Sequence, residues 1–286
     1  MSEVTRSVIA PRPETLSGRT VVMSGGSRGI GLAIALELAK HGANIVLLSK
    51  TDTPHATLEG TIHTAVEQIN AAGGQGLAVV GDVRVDADVQ RVVDTAVETF
   101  GGIDIVINNA SAINLAPTDK LDMKRYDLMA DINVRGTFLL SKTALPHLRA
   151  SQHGHILTLS PPLNLDPKWA GAHLGYTMAK YGMSLTTLGL AEELRGDGIG
   201  VNSLWPATLI DTAAIRNLPG GMEMIKGARS AQIVADAALS ILASEPASVS
   251  GNFFTDEQVL AAGGLNDFSA YAIDPEHELE EDIFLS

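Results

Sequence analysis

Tyr176 and Lys180, in the stretch YTMAK, stand four residues apart, so on a helix they share one face a single turn apart. A free phenol has a pKa of about 10, and an ammonium group beside it favours the phenolate. Lowering a phenol by about 3 units takes roughly 4 kcal/mol of differential stabilisation, which the pair is suited to provide in part. A second constellation suits an anion. In SGGSRGIG, residues 24–31, Gly25, Gly29 and Gly31 form a G-x-x-x-G-x-G pattern. Glycine lets the chain turn sharply and lets a pyrophosphate approach the backbone, and a helix N-terminus then offers unpaired N–H groups. Placed between a strand and a helix, such a loop reads as a dinucleotide site.

The elements that must position these groups follow from a regular beat of short apolar runs and longer amphipathic segments. Strands are expected at 21–24, 44–48, 77–80, 103–107, 155–159, 200–204 and 252–255. Helices are expected at 29–41, 58–71, 86–100, 121–150, 175–195 and 232–244, with Gly42, Gly73, Gly101 and Gly196 near their ends. Strands joined by crossover helices imply an α/β fold, a doubly wound parallel sheet in a single domain. Residues 1–18 read as a leader, 19–256 as the domain and 257–286 as an extension whose acidic EHELEED reads as a solvated tail.

The second strand bears on which dinucleotide is bound. An NAD-type site places an acid at its end to accept from the ribose hydroxyls. Here the strand ends NIVLLSKT, with Ser49 and Lys50 and no acid before Asp52, while Arg28 sits within the glycine loop. Two cations and a hydroxyl suit a 2′-phosphate, so NADP is expected over NAD, with NAD still possible.

Composition narrows the class. The 286 residues include no cysteine, which removes disulfides, thiol catalysis and thiolate metal sites and is compatible with a reducing cytosol. A formal net charge of −13 argues against nucleic acid and anionic membrane surfaces as partners. No apolar run reaches the roughly 18 residues of a membrane span, and the first residues lack an apolar signal core. A cytoplasmic protein is expected. His153-x-His155 has no neighbouring acidic or cysteine ligands and reads as polar loop residues, so no metal is expected.

With the glycine loop in place, NNAS at 108–111, Asn133 in DINVRGTF, Tyr176-x-x-x-Lys180 and WPAT at 205–208 fall into an order that resembles the short-chain dehydrogenase/reductase family from about Thr20 to Thr255. A narrower group within it is similar through LSKTDTPHATLEGTIHTA, LSPPLNLDP, GNFFTDE and FSAYAIDP; its animal members carry a further sterol-carrier domain, which this sequence, ending at Ser286, is not expected to include. The resemblance implies a Rossmann-type seven-stranded sheet of order 3-2-1-4-5-6-7 and a homodimer or homotetramer. It implies that Tyr176 exchanges a proton with the substrate oxygen, that Lys180 also holds the nicotinamide ribose, and that Asn133 anchors a water. Asp82 and the Asn109–Ala110 backbone would flank adenine and ribose, Thr212 would touch the carboxamide, and Ser27, Ile30, Val83 and Pro206 complete the implied cofactor contacts.

One position departs from the family. The strand ends Thr158-Leu159-Ser160-Pro161, so proline stands where the family has a serine that polarises the carbonyl. Ser160 re-aimed by the Pro-Pro pair, Asn164 donating from the lengthened loop, or a missing donor are the three readings. Trp169, His173, Leu174 and Leu163 are candidates for a substrate mouth, and 210–227, with Met222 and Met224, for the family's lid. The resemblance and these apolar loops point to an oxidoreductase acting on an apolar alcohol or carbonyl, terpenoid, acyl or steroid-like. The alternative is an NADP(H)-binding scaffold or redox sensor with little reductase activity. An epimerase of the extended relatives is more distant, because no separate substrate domain follows the sheet.

Overall fold

Every residue of Thr20–Ser24 is buried, and its side chains divide between two cores: Val21 and Met23 on one face, Val22 on the other. Ile105 and Ile107 against Val106, and Leu157 against Ile156, repeat the division. Continuous burial with two-sided packing marks central strands of a parallel sheet covered on both faces. The computed structural model describes residues 16–54, 60–217 and 220–285 and has that architecture. Seven strands, β1 Thr20–Ser24, β2 Asn44–Ser49, β3 Gln75–Val80, β4 Ile105–Asn108, β5 His155–Thr158, β6 Gly200–Trp205 and β7 Phe253–Thr255, form one all-parallel sheet in the order 3-2-1-4-5-6-7.

Helices α1 (Gly29–Lys40), α2 (Ile62–Ala71) and α7 (Gln232–Leu242) cover one face, and α3 (Asp86–Phe100), α5 (Gly136–Ala150) and α6 (Pro167–Glu193) the other. α3 ends where the sequence predicts, on Gly101 at φ 86°. α2 starts on a capping box in which Thr61 and Thr64 exchange side-chain bonds with each other's backbone N–H; the expected start at residue 58 lies outside the described residues. Leu16, from the expected leader, and Val259 and Leu260 of α8 (Asp256–Ala262), from the expected extension, share the first core because each carries an apolar side chain to it.

Three expectations change. The helix predicted over 121–150 is three pieces: α4 (Met123–Met129), a π-helical turn Ala130–Arg135, and α5. The helix predicted from 175 begins at Pro167 and breaks at His173, whose φ of −157° and ψ of 64° are non-helical. The acidic segment is solvated only in part. Glu276, Glu278, Glu280 and Glu281 are exposed, but Asp282 and Ile283 turn inward and Phe284 is 0% exposed. The turn is set by pairing: Glu280 N donates to Gly227 O, Leu209 N to Glu280 O and Asp282 N to Ala207 O, and Thr208 bridges Glu281 antiparallel.

Candidate active site

Parallel strands bring all their C-terminal ends to one edge, and the order reverses between β1 and β4. Ser24 pairs with Leu48 on one side and Asn108 on the other, so the loops after β1 and β4 splay apart there. A cleft of about 620 Å³ opens at this point and runs from the glycine loop to Tyr176. Gly29 has φ +57°, and a Cβ on Gly31 would run into the Gly25 carbonyl and the Asn109 side chain. The first turn of α1 has no side-chain cap, since its N-cap is Arg28. Asn109 Nδ2 donates to Ser24 O and Gly25 O, and Ala110 N to Ser24 Oγ, tying the β1 and β4 loops together. This glycine cradle with open N–H groups fits a pyrophosphate.

The far end of the cleft is cationic. Arg28 donates Nη2 to Gly60 O at 2.7 Å, while its Nε is buried without a partner, a donor aimed at no protein acceptor. Lys50 is exposed at the rim beside Ser49, whose Oγ lies 3.4 Å from Ser27 Oγ. Asp82 lines the cleft and pairs with Arg84 at 2.6 Å, which holds its carboxyl below the usual range. Ile30, Val83, Pro206 and Thr212 also line the cleft; Ser27 does not, being buried under the loop. The orphaned Arg28 Nε and the rim lysine fit a phosphorylated ribose.

At the closed end, the break at His173 starts a fresh helical run that places Tyr176 and Lys180 on one wall, 4% and 3% exposed. Lys180 Nζ donates to Leu159 O at 2.8 Å and lies 4.9 Å over the Trp205 ring. Burial pushes this lysine down to about 7, opposed by the charge of Asp282. Burial, then Asp282, raises the Tyr176 phenol above its ordinary value. In the protein alone, burial therefore outweighs the effect that was expected of the lysine on the phenol. The lysine is engaged with a carbonyl, and an acid sits where none was foreseen. Asn133, in the π-helical turn, does not line the cleft. Its Oδ1 accepts from Ala112 N at 2.8 Å and its Nδ2 donates to Ala112 O, fixing the loop after β4.

The serine question resolves geometrically. Ser160 is not brought to the cleft: it is 0% exposed and its Oγ is bonded to Ser203 Oγ at 2.8 Å. Pro161 directs its carbonyl to the Ser184 hydroxyl. Asn164 is also withdrawn, accepting from Asp166 N through Oδ1 and from Tyr181 OH through its carbonyl. Leu159 is the residue of that strand end that lines the cleft.

Of the expected substrate mouth, Trp169 and His173 pack on Phe284 and Leu174 faces solvent. In the expected lid, Met224 lines the cleft and Met222 is exposed; residues 218 and 219 lie outside the described residues. His153 and His155 each bond a backbone carbonyl, of Leu242 and Ser244. Asp282 and Ile283 are cleft residues the sequence reading missed. The apolar IFL triplet following the acids was the available signal.

A family model for short chain dehydrogenases matches residues 19–220. Hydroxysteroid dehydrogenase-like protein 2 of Danio rerio is 53% identical over 270 residues, 94% of this chain; the chain spans 64% of that relative's length. The crystal structure of a short chain dehydrogenase from Mycobacterium thermoresistibile superposes with a TM-score of 0.90 at 49% identity, covering 95% of this chain and 96% of that one. A short chain dehydrogenase from Burkholderia cenocepacia, solved in complex with NADP, gives 0.72 at 28% identity, covering 84% and 97%.

Proposed function

The chain belongs to the short-chain dehydrogenase family, and on that premise we propose that it is an oxidoreductase that uses NADP(H) to interconvert an apolar carbonyl compound and its alcohol, with Tyr176 as proton donor. The observation that carries the reading is that Tyr176 and Lys180 close one end of the cleft whose other end is the glycine cradle with Arg28 and Lys50. NADPH, when bound, supplies the hydride. The chain's own residues do the rest. The glycine loop and the α1 N-terminus receive the pyrophosphate, and Arg28, Lys50 and Ser49 the 2′-phosphate. Gly25, Ile30, Asp82, Val83, Asn109, Ala110, Pro206 and Thr212 shape the bed between.

A phenol held above its ordinary pKa stays protonated near neutral pH, so Tyr176 is poised to give its proton to a carbonyl oxygen. That suits carbonyl reduction. With Ser160 and Asn164 withdrawn, Tyr176 polarises the carbonyl without the usual serine. Lys180, which donates to Leu159 O, would hold the nicotinamide ribose, and Asn133 anchors the loop after β4 through Ala112. The apolar lining from Ile113, Leu115, Leu159, Leu209 and Met224 suits a terpenoid, acyl or steroid-like body.

Among the described residues no helix is long and apolar enough to cross a membrane. We place the protein in the cytoplasm, without nucleic-acid partners and as a homodimer or homotetramer. Phe138 on α5 and Met178, Leu185 and Leu188 on α6 supply an exposed apolar surface for self-association. The absence of Ser160 and Asn164 from the cleft lining favours one second reading, an NADP(H)-binding protein with slow or no turnover acting as scaffold or redox sensor. Assaying aldehydes and ketones for stoichiometric NADPH loss and alcohol formation separates the two. Product from any member supports the enzyme reading; saturable NADPH binding with no product across the panel supports the second.

A further inference from the structure

Phe284 is 0% exposed and is the one non-glycine among the described residues at positive φ, 76°. Its ring is surrounded by those of Tyr181 at 5.3 Å, His173 at 5.5 Å, Trp169 at 5.6 Å, and Tyr176 and Trp205 at 6.1 Å. A left-handed backbone at a bulky residue is costly and persists where surrounding packing over-determines it. The neighbouring backbone is tied down as well, because Trp205 Nε1 donates to Ile283 O at 3.0 Å. The two residues before Phe284, Asp282 and Ile283, line the same cleft as Tyr176 and Lys180.

We propose that Asp282 and Ile283 form a wall of the substrate site, pinned by Phe284, with Ile283 setting the size of the apolar group that fits beside Tyr176 and the Asp282 carboxylate excluding anionic substrates. The inference rests on the reading of Tyr176 as the reacting residue, and it narrows the substrate class to uncharged apolar alcohols and carbonyls. Ile283 lines the cleft and packs against the cluster that holds Tyr176, Trp205 and Phe284, so truncating it is expected to enlarge the space available to a substrate. Burial pushes Asp282 up to about 7, with Lys180 opposing the shift, so at pH 8 the carboxylate is largely ionised and repels a second carboxylate.

The test uses the chain's only two tryptophans, Trp169 and Trp205, both in ring contact with Phe284. Primary alcohols from butanol to dodecanol, and the carboxylic acids of the same lengths, are titrated at pH 8 into NADPH-saturated protein while tryptophan emission is followed. Ile283→Ala is expected to shift the ratio of long-chain to short-chain affinity by about tenfold toward long chains, and Ile283→Val by less. The acids are expected to bind about tenfold more weakly than the alcohols, a gap that Asp282→Asn narrows. An unchanged length profile in Ile283→Ala, or no response to any alcohol, overturns the wall. Equal tightening of every member in Phe284→Ala and Phe284→Leu also overturns it, because the segment would then be a plug that substrate displaces. Alcohols that bind with the expected shift, while no aldehyde is reduced, leave the wall standing and sink the reductase reading instead.

Discussion

Ser160 Oγ lies 2.8 Å from Ser203 Oγ, and the Ser203 hydroxyl donates onward to Thr187 Oγ1 at 2.8 Å. The hydroxyl next to the catalytic strand end is therefore spent on joining β5, β6 and α6. Ser160→Ala is expected to change kcat less than about threefold, where loss of an oxyanion donor costs on the order of 100-fold to 1,000-fold. It is expected to lower unfolding free energy by about 1 kcal/mol, through loss of the buried Ser160–Ser203 bond, while Ser203 keeps its bond to Thr187. Steady-state kinetics and urea unfolding on the same preparation measure both.

On the proposed reading, Arg28 and Lys50 at the cleft rim set cofactor choice. Wild type is expected to bind NADPH more tightly than NADH, and Lys50→Ala and Arg28→Ala each to reduce that ratio about tenfold, since a hydrogen bond to a charged group contributes about 1.5–3 kcal/mol. NADH affinity should barely move in Lys50→Ala. Equilibrium titration of both nucleotides checks this, and a wild-type preference for NADH would remove the 2′-phosphate assignment.

His155 makes the fold acid-sensitive. Burial, with the charge of His153 second, pushes its imidazole down to about 3. The unfolded chain takes up a proton near pH 6.5 that the folded chain refuses until about pH 3. The neutral ring's contribution is therefore complete above pH 6.5 and is lost as pH falls toward 3. Between pH 6.5 and 5 this one residue is expected to remove about 2 kcal/mol of stability. His155→Gln should flatten that slope. Denaturant midpoints across the range show whether it does.

Much of this arrangement was legible beforehand, for local reasons. Gly25, Gly29 and Gly31 are demanded by backbone shape, and the strand order came with the family resemblance that the motifs carry. Tyr176 and Lys180 share a wall because four residues make a helical turn. What stayed hidden depends on contacts between distant segments. Ser160 faces Ser203, 43 residues away. The direction of the Tyr176 shift depends on burial and on Asp282, more than 100 positions along the chain. The π-helical turn around Asn133 and the break at His173 leave no mark on hydrophobic periodicity, because neither changes which residues are apolar. The acidic run around Asp282 was dominated by its exposed glutamates, although Phe284, two positions later, decides where the segment goes.

NADPH oxidation by Tyr176→Phe, measured beside wild type on the best aldehyde, with the NADPH dissociation constant determined for both proteins, bears most directly on the proposed chemistry. The phenylalanine keeps the ring that packs on Phe284 and removes only the proton donor. Turnover is expected to fall by about 100-fold or more while NADPH affinity stays within about twofold. A variant that reduces the aldehyde as fast as wild type would show that Tyr176 is not the proton donor.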